Sequence, residues 1–236
     1  MLLFGVALAA TADLARVQER LEEVSPLMGL RLAETRPPIP DAAWTKAAAG
    51  EVATGIAEVE GHEAKIGWGV AVVEVAIDRF WRGLNDELYH QELLGMGHIE
   101  LVRGSVCQDR RHVMMLLPLP LVSDRWWVVE NRYARALEQK SGGSVRELSW
   151  HQVKVEASEL SETAQGLVED AVPLAFNTGA WLLVALEEQT LVEYHAWSDP
   201  GGDIPAGPAS SFASASIEDT IRTMERYATD NEPRCR

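Results

Sequence analysis

From His98 to Asp199 the sequence lays down one strand-like run after another, and nothing between them has the length and 3.6-residue period of a crossover helix. The runs are HIELVRGSVCQ, RHVMMLLPLPLV, RWWVVENRYARALEQ, SVRELSWHQVKVEA, GAWLLVALEE and TLVEYHAWSD, rich in β-branched and aromatic residues. Turn chemistry at Asp109 and Ser141-Gly142-Gly143, and a loop over 158–178, separate them. Strands that follow strands exclude a doubly wound parallel sheet and predict an antiparallel meander.

The flanking segments complete the pattern. Leu14, Val17, Leu21 and Val24 form one face of a helix, which Pro26, Pro37-Pro38 and Pro40 bring to an end. EVATGIAEVE and AKIGWGVAVVEV read as a hairpin across Glu60-Gly61-His62. Asp78 is placed to cap a single helix through RFWRGLNDELYHQELL, stopped by Gly95 and Gly97. After the turn-rich DPGGDIPAGP, a last helix from about 214 to 229 carries Ile217, Ile221, Met224 and Ala228 on one face and Glu218, Asp219, Arg222, Glu225 and Arg226 on the other. The expected class is α+β: a curved antiparallel sheet wrapped around a long C-terminal helix, with an internal hydrophobic cavity between them. Residues 44–230 would form this domain, after an N-terminal helix and proline-rich connector at 13–43 and before a tail at 231–236.

Charge narrows the partners. The 236 residues hold 36 acidic against 21 basic side chains, a net charge of −15, which lacks the cationic footprint of nucleic-acid binding. No apolar run approaches the ~20 residues of a membrane-spanning helix. Six histidines are scattered without metal-ligand spacing, so neither a metal nor another cofactor is expected. The two cysteines allow one bridge at most, and with Cys235 in a terminal tail expected to be mobile, no bridge is expected. Residues 1–12, MLLFGVALAATA, read as a candidate export signal, which would make the protein periplasmic or secreted; the bland alternative is the start of the first helix in a cytoplasmic protein.

Three strings, in this order, resemble the START lipid-transfer domains of the helix-grip (Bet v 1-like) superfamily. Pro120-Leu121-Val122-Ser123-Asp124-Arg125 is similar to the family's entry into a central strand, although Trp126 stands where the family has Asp. Gly179-Ala180-Trp181 is similar to its G-x-W, and Thr190-Leu191-Val192-Glu193-Tyr194 leads into Asp199-Pro200-Gly201-Gly202-Asp203-Ile204-Pro205 as in its T-x-V-x-Y and D-P-G-G-x-I-P. The resemblance implies a binder of one lipid or other hydrophobic small molecule, with at most transient membrane contact. Sterol-carrying relatives place an acid and an arginine in the cavity. Here Asn131 falls at the arginine's position and HVMMLL offers no acid, which counts against a sterol.

Strand alternation after Arg125 puts Trp126, Val128, Glu130 and Arg132 toward solvent. Arg125, Trp127, Val129, Asn131 and Tyr133 then face the interior, a mostly apolar surface with a lone Asn and a Tyr to orient a ligand. Met114, Trp181 and Tyr194, with Ile217, Ile221 and Met224 from the final helix as a roof, complete the candidate ligand-binding set. No catalytic residue is assigned, because no nucleophile motif such as GxSxG occurs. Two other classes stay open: a cyclase- or hydrolase-type enzyme on a polyketide-like substrate, with His195, Tyr194, His151 and Tyr133 as candidates, and an acidic protein-interaction module.

Overall fold

The computed structural model describes residues 14–202, 204, 216–232 and 235; the candidate export signal lies outside them. Eight strands follow one another across the sheet in the order β1-β2-β9-β8-β6-β5-β4-β3, and all neighbours on this path are antiparallel. They are β1 (Ala53–Ala57), β2 (Ile66–Val73), β3 (His98–Arg103), β4 (Arg110–Leu117), β5 (Arg125–Tyr133), β6 (Val145–Gln152), β8 (Phe176–Leu186) and β9 (Gln189–Asp199). The two-residue β7 (Val172–Pro173) runs parallel to the start of β5. The sheet curls without closing.

Its inner face is covered by helix α3 (Ile77–Leu84) and by the C-terminal helix, α7 (Ile217–Asp230). Ile217, Ile221, Met224 and Ala228 are buried there, as their spacing requires. A Cβ on Gly69 of β2 would lie 2.5 Å from Ile217 Cγ2, so glycine at this position lets the helix settle onto the strand. Arg79 of α3 donates to the carbonyl of Thr229 at 2.8 Å, anchoring the far end of α7.

The outer face is covered twice. α1 (Leu14–Val24), a 3-10 turn at Ser25–Leu30 and α2 (Asp41–Ala48) bury Trp68, Val70, Leu182 and Leu191. Over β4 and β5, α6 (Glu162–Val168) and its flanks bury Met114, Leu116 and Val128. The outer face of β5 is therefore not a solvent face as expected: Val128 and Glu130 are buried, and of the four residues only Arg132 is exposed.

Other expectations are corrected locally. The helix after Asp78 breaks at Asn85-Asp86, giving α3, a 3-10 turn at Glu87–Tyr89 and the short α4 (His90–Leu93). Asn85 Nδ2 joins its own backbone N–H on the Trp81 carbonyl at 2.8 Å, and the Asp86 N–H turns to the Gly83 carbonyl at 3.2 Å, which ends the α-helical ladder. Asp78 is not the cap; it sits in the first turn and pairs with Arg146. ARALEQ does not prolong β5 but forms α5 (Arg135–Lys140). The tail is bound, because Cys235 forms a disulfide with Cys107, Cα to Cα 5.4 Å, and is buried. The pairing escaped expectation because 128 residues separate the partners and the fold alone brings them together.

Candidate ligand cavity

Between the sheet and its helices lies a cavity of about 170 Å³. One wall is aromatic: Trp150 of β6 stacks near Tyr194 of β9 with ring centroids 5.9 Å apart, and Trp181 of β8 lies 4.3 Å from the same ring. Gly179 makes room for it, since a Cβ there would sit 2.3 Å from the Trp150 ring. Trp127 and Val129 of β5 and Met115 of β4 form the facing surface, and Met224 and Thr220 close the roof. Burial pushes the Tyr194 phenol up to about 12 and holds the imidazole of His90, which also lines the cavity, below its ordinary value. His90 Nε2 lies 2.9 Å from the Gly83 carbonyl, which makes it the protonated nitrogen.

One end of the cavity is charged. Glu87, in the turn where the helix breaks, is 3% exposed and lines the cavity. Its Oε1 accepts from Arg111 Nη2 of β4 and, at 2.9 Å, from Asn131 Nδ2 of β5. Arg111, 1% exposed, also donates to Asn85 Oδ1 at 2.8 Å and to the Gln108 carbonyl at 2.7 Å. Glu87 Oε2 and Arg111 Nε, both buried, have no hydrogen-bond partner. An acid and an arginine thus stand together inside after all, but neither comes from HVMMLL or from the strand after Arg125. Glu87 belongs to a segment expected to be plain helix, and Arg111 is the second residue of β4, just before HVMMLL.

Of the eleven candidate ligand-binding residues, Trp127, Val129, Asn131, Trp181, Tyr194 and Met224 line this cavity. The other five lie elsewhere. Met114 faces outward beneath α6, because Met115 pairs with Trp127 and residues opposite each other share a face. Tyr133 meets Trp81 edge to face, with Arg111 over its ring. Ile217 and Ile221 fill the notch at Gly69. Arg125 points out of the cavity and donates to the carbonyls of Ser123 at 2.5 Å, Pro200 at 2.7 Å and Gly201 at 3.2 Å, tying the first string of the resemblance to the third.

Of the four enzyme candidates, Tyr194 alone lines the cavity. His195 is buried on the outer face, its Nδ1 3.8 Å from Glu193. His151 is exposed beside Glu130. Among the described residues no cluster of three His, Cys, Asp or Glu side chains is arranged to hold a metal, and no helix is long and apolar enough to cross a membrane.

No protein-family model and no curated protein sequence matches the chain. Solved structures do. A STAR-related lipid transfer protein from Xanthomonas axonopodis superposes with a TM-score of 0.61 at 18% identity, over 76% of this chain and 94% of that one. Human STARD10 gives 0.60 at 11% identity, over 75% and 69%. Human StAR-related lipid transfer protein 5 gives 0.58 at 14%, over 92% and 98%. With α3 and α7 gripped by a curled antiparallel sheet and a cavity between them, the chain has the START, or helix-grip, fold.

Proposed function

We propose that the protein is a non-catalytic binder of one hydrophobic molecule that carries a hydrogen-bond donor, such as a long-chain alcohol or a monoacyl lipid, with the donor placed against Glu87. The observation that carries this reading is the buried, unpartnered Glu87 Oε2 at the end of an otherwise apolar and aromatic cavity. A buried carboxylate oxygen without a donor is costly, and a ligand hydroxyl or ammonium would satisfy it. The fold shared with lipid-transfer proteins supports the same reading.

The cavity, at about 170 Å³, is smaller than the ~300–1,000 Å³ of ordinary ligand sites. A full-length acyl chain therefore requires α7 to shift from the sheet, with the loop at 118–123 at the membrane. Pro118, Pro120, Leu121 and Val122 are exposed there without a charge among them, the kind of patch that meets lipid. The Cys107–Cys235 bridge fits an oxidising compartment. Of the four enzyme candidates only the Tyr194 phenol lines the cavity, and, raised to about 12, it stays protonated at neutral pH and does not itself supply a base.

Trp127, Trp150 and Trp181 supply the readout. Tryptophan fluorescence titrated with 1-dodecanol should saturate at concentrations about tenfold lower than with dodecane, the difference one charge-assisted hydrogen bond provides. Equal responses to the two probes, or none to either, would overturn the reading.

A further inference from the structure

A second concavity, of about 510 Å³, opens on the outer face of the sheet around Gly104. Its floor is Glu130, whose side chain is 4% exposed and is the focus of four basic groups. Arg110 Nε lies 2.6 Å from it, His112 Nε2 3.2 Å, Arg132 Nε 3.8 Å and His151 Nε2 4.0 Å. Arg103 and the exposed Lys154 complete the rim. Burial works against the Glu130 charge, but the hydrogen bonds from Arg110 and His112 outweigh it and hold its pKa below the ordinary value.

The carboxylates here are too few for the cations. Arg103, Arg110, Arg132 and Lys154 face Glu130 and the Glu159 that pairs with Arg103. On a chain of net charge −15, a concave patch with excess positive charge stands apart from the rest of the surface. Glu130 orders the donors from below, and their remaining N–H groups are left to face outward. The Arg110 side chain is 74% exposed despite its ion pair.

We propose that this concavity is a binding site for a phosphate-type anion, held by Arg103, Arg110, His151 and Lys154 above Glu130. The position favours a soluble phosphate ester over a membrane headgroup. Arg110 starts β4 and the apolar loop at 118–123 follows its end, so the two are separated by seven residues of extended chain, roughly 20 Å. Glu87 and the concavity lie back to back, because Arg110 and His112 point outward from β4 while Arg111, between them, points in to Glu87.

The test is calorimetric titration of the full chain with inorganic pyrophosphate, alongside co-sedimentation with phosphatidylcholine vesicles doped with phosphatidylglycerol. The proposal expects saturable pyrophosphate binding that weakens at least about tenfold in the Arg103→Ala/Lys154→Ala double variant, which removes two charge-assisted contacts. Both side chains are exposed, so the variant should keep the wild-type melting temperature and 1-dodecanol response; a failure here is thereby separable from a failure of the cavity reading. Vesicle binding lost in the double variant, without pyrophosphate binding, would retain the anion site and assign the phosphate to a headgroup. No pyrophosphate binding together with equal sedimentation of the two proteins would overturn it.

Discussion

Two buried ion clusters lie on opposite faces of the same sheet, and they are completed to different degrees. On the outer face Glu147 accepts from Arg31 Nε at 3.2 Å and from the backbone N–H groups of Leu32 and Ala33 at 3.2 and 2.9 Å. Arg31 reaches on to Glu193 at 2.9 Å. Both Glu147 oxygens are engaged, and the chain between the first 3-10 turn and α2 is pinned to β6 and β9. On the inner face Glu87 and Arg111 each keep one buried polar atom unpartnered. A carboxylate satisfied by its own backbone fixes the fold; one left short of a donor beside an apolar cavity is a place for something else.

The largest effect should come from breaking the finished cluster. Glu147→Ala takes one of the two carboxylates from Arg31, which keeps Glu193, and strands two backbone donors beneath the N-terminal segment, and should cost about 3–5 kcal/mol in urea unfolding. A cost under about 1 kcal/mol would remove the distinction between the clusters.

Acid should attack the same cluster next. Burial raises the Glu193 pKa, but the nearby His195 imidazole and the charge and hydrogen bond of Arg31 outweigh it and bring Glu193 down to about 2. Its folded pKa is depressed, so its contribution is complete above the unfolded carboxylate range near ~4.3 and is lost as pH falls from there toward 2. That contribution is on the order of 3 kcal/mol, and a Glu193→Gln variant should show a correspondingly flatter stability curve between about pH 5 and pH 2. An unchanged curve would mean that Arg31 answers to Glu147 alone.

The smallest effect on stability belongs to the unfinished cluster. Glu87→Gln keeps an acceptor for Arg111 and should cost only about 1–2 kcal/mol, while abolishing the preference for 1-dodecanol over dodecane. If its stability cost matches that of Glu147→Ala, Glu87 is a structural clamp too and the cavity loses its anchor.

Alternation made much of this architecture legible. Trp127, Val129 and Asn131 reach the cavity because side chains on β5 alternate, and the order of strands was open to reading from composition and turns. Met114 was misplaced because facing depends on pairing, and the register of β4 against β5 is set by a loop whose geometry no local pattern reveals. Glu87 was missed for a different reason. Its segment carries the apolar spacing of a continuous helix, and the tightening at Asn85-Asp86, where the Asp86 N–H bonds the Gly83 carbonyl three residues back, ends that helix before Glu87 and leaves its carboxylate inside. The short helices α5 and α6 were hidden likewise, since six or seven residues give too few turns for a period to show.

The disulfide has a topological consequence. From Cys107 to Cys235 the chain is one covalent ring that carries β4 through β9 and α7, whereas α1 to α4 and β1 to β3 lie outside it. A protease that nicks the connection between β6 and β8 therefore leaves two pieces still joined, migrating as one species until a thiol is added. A nick between β1 and β2 releases a fragment at once under denaturing conditions. The half of the molecule that bears β5, the aromatic wall and the roof helix is thus the half whose continuity survives damage.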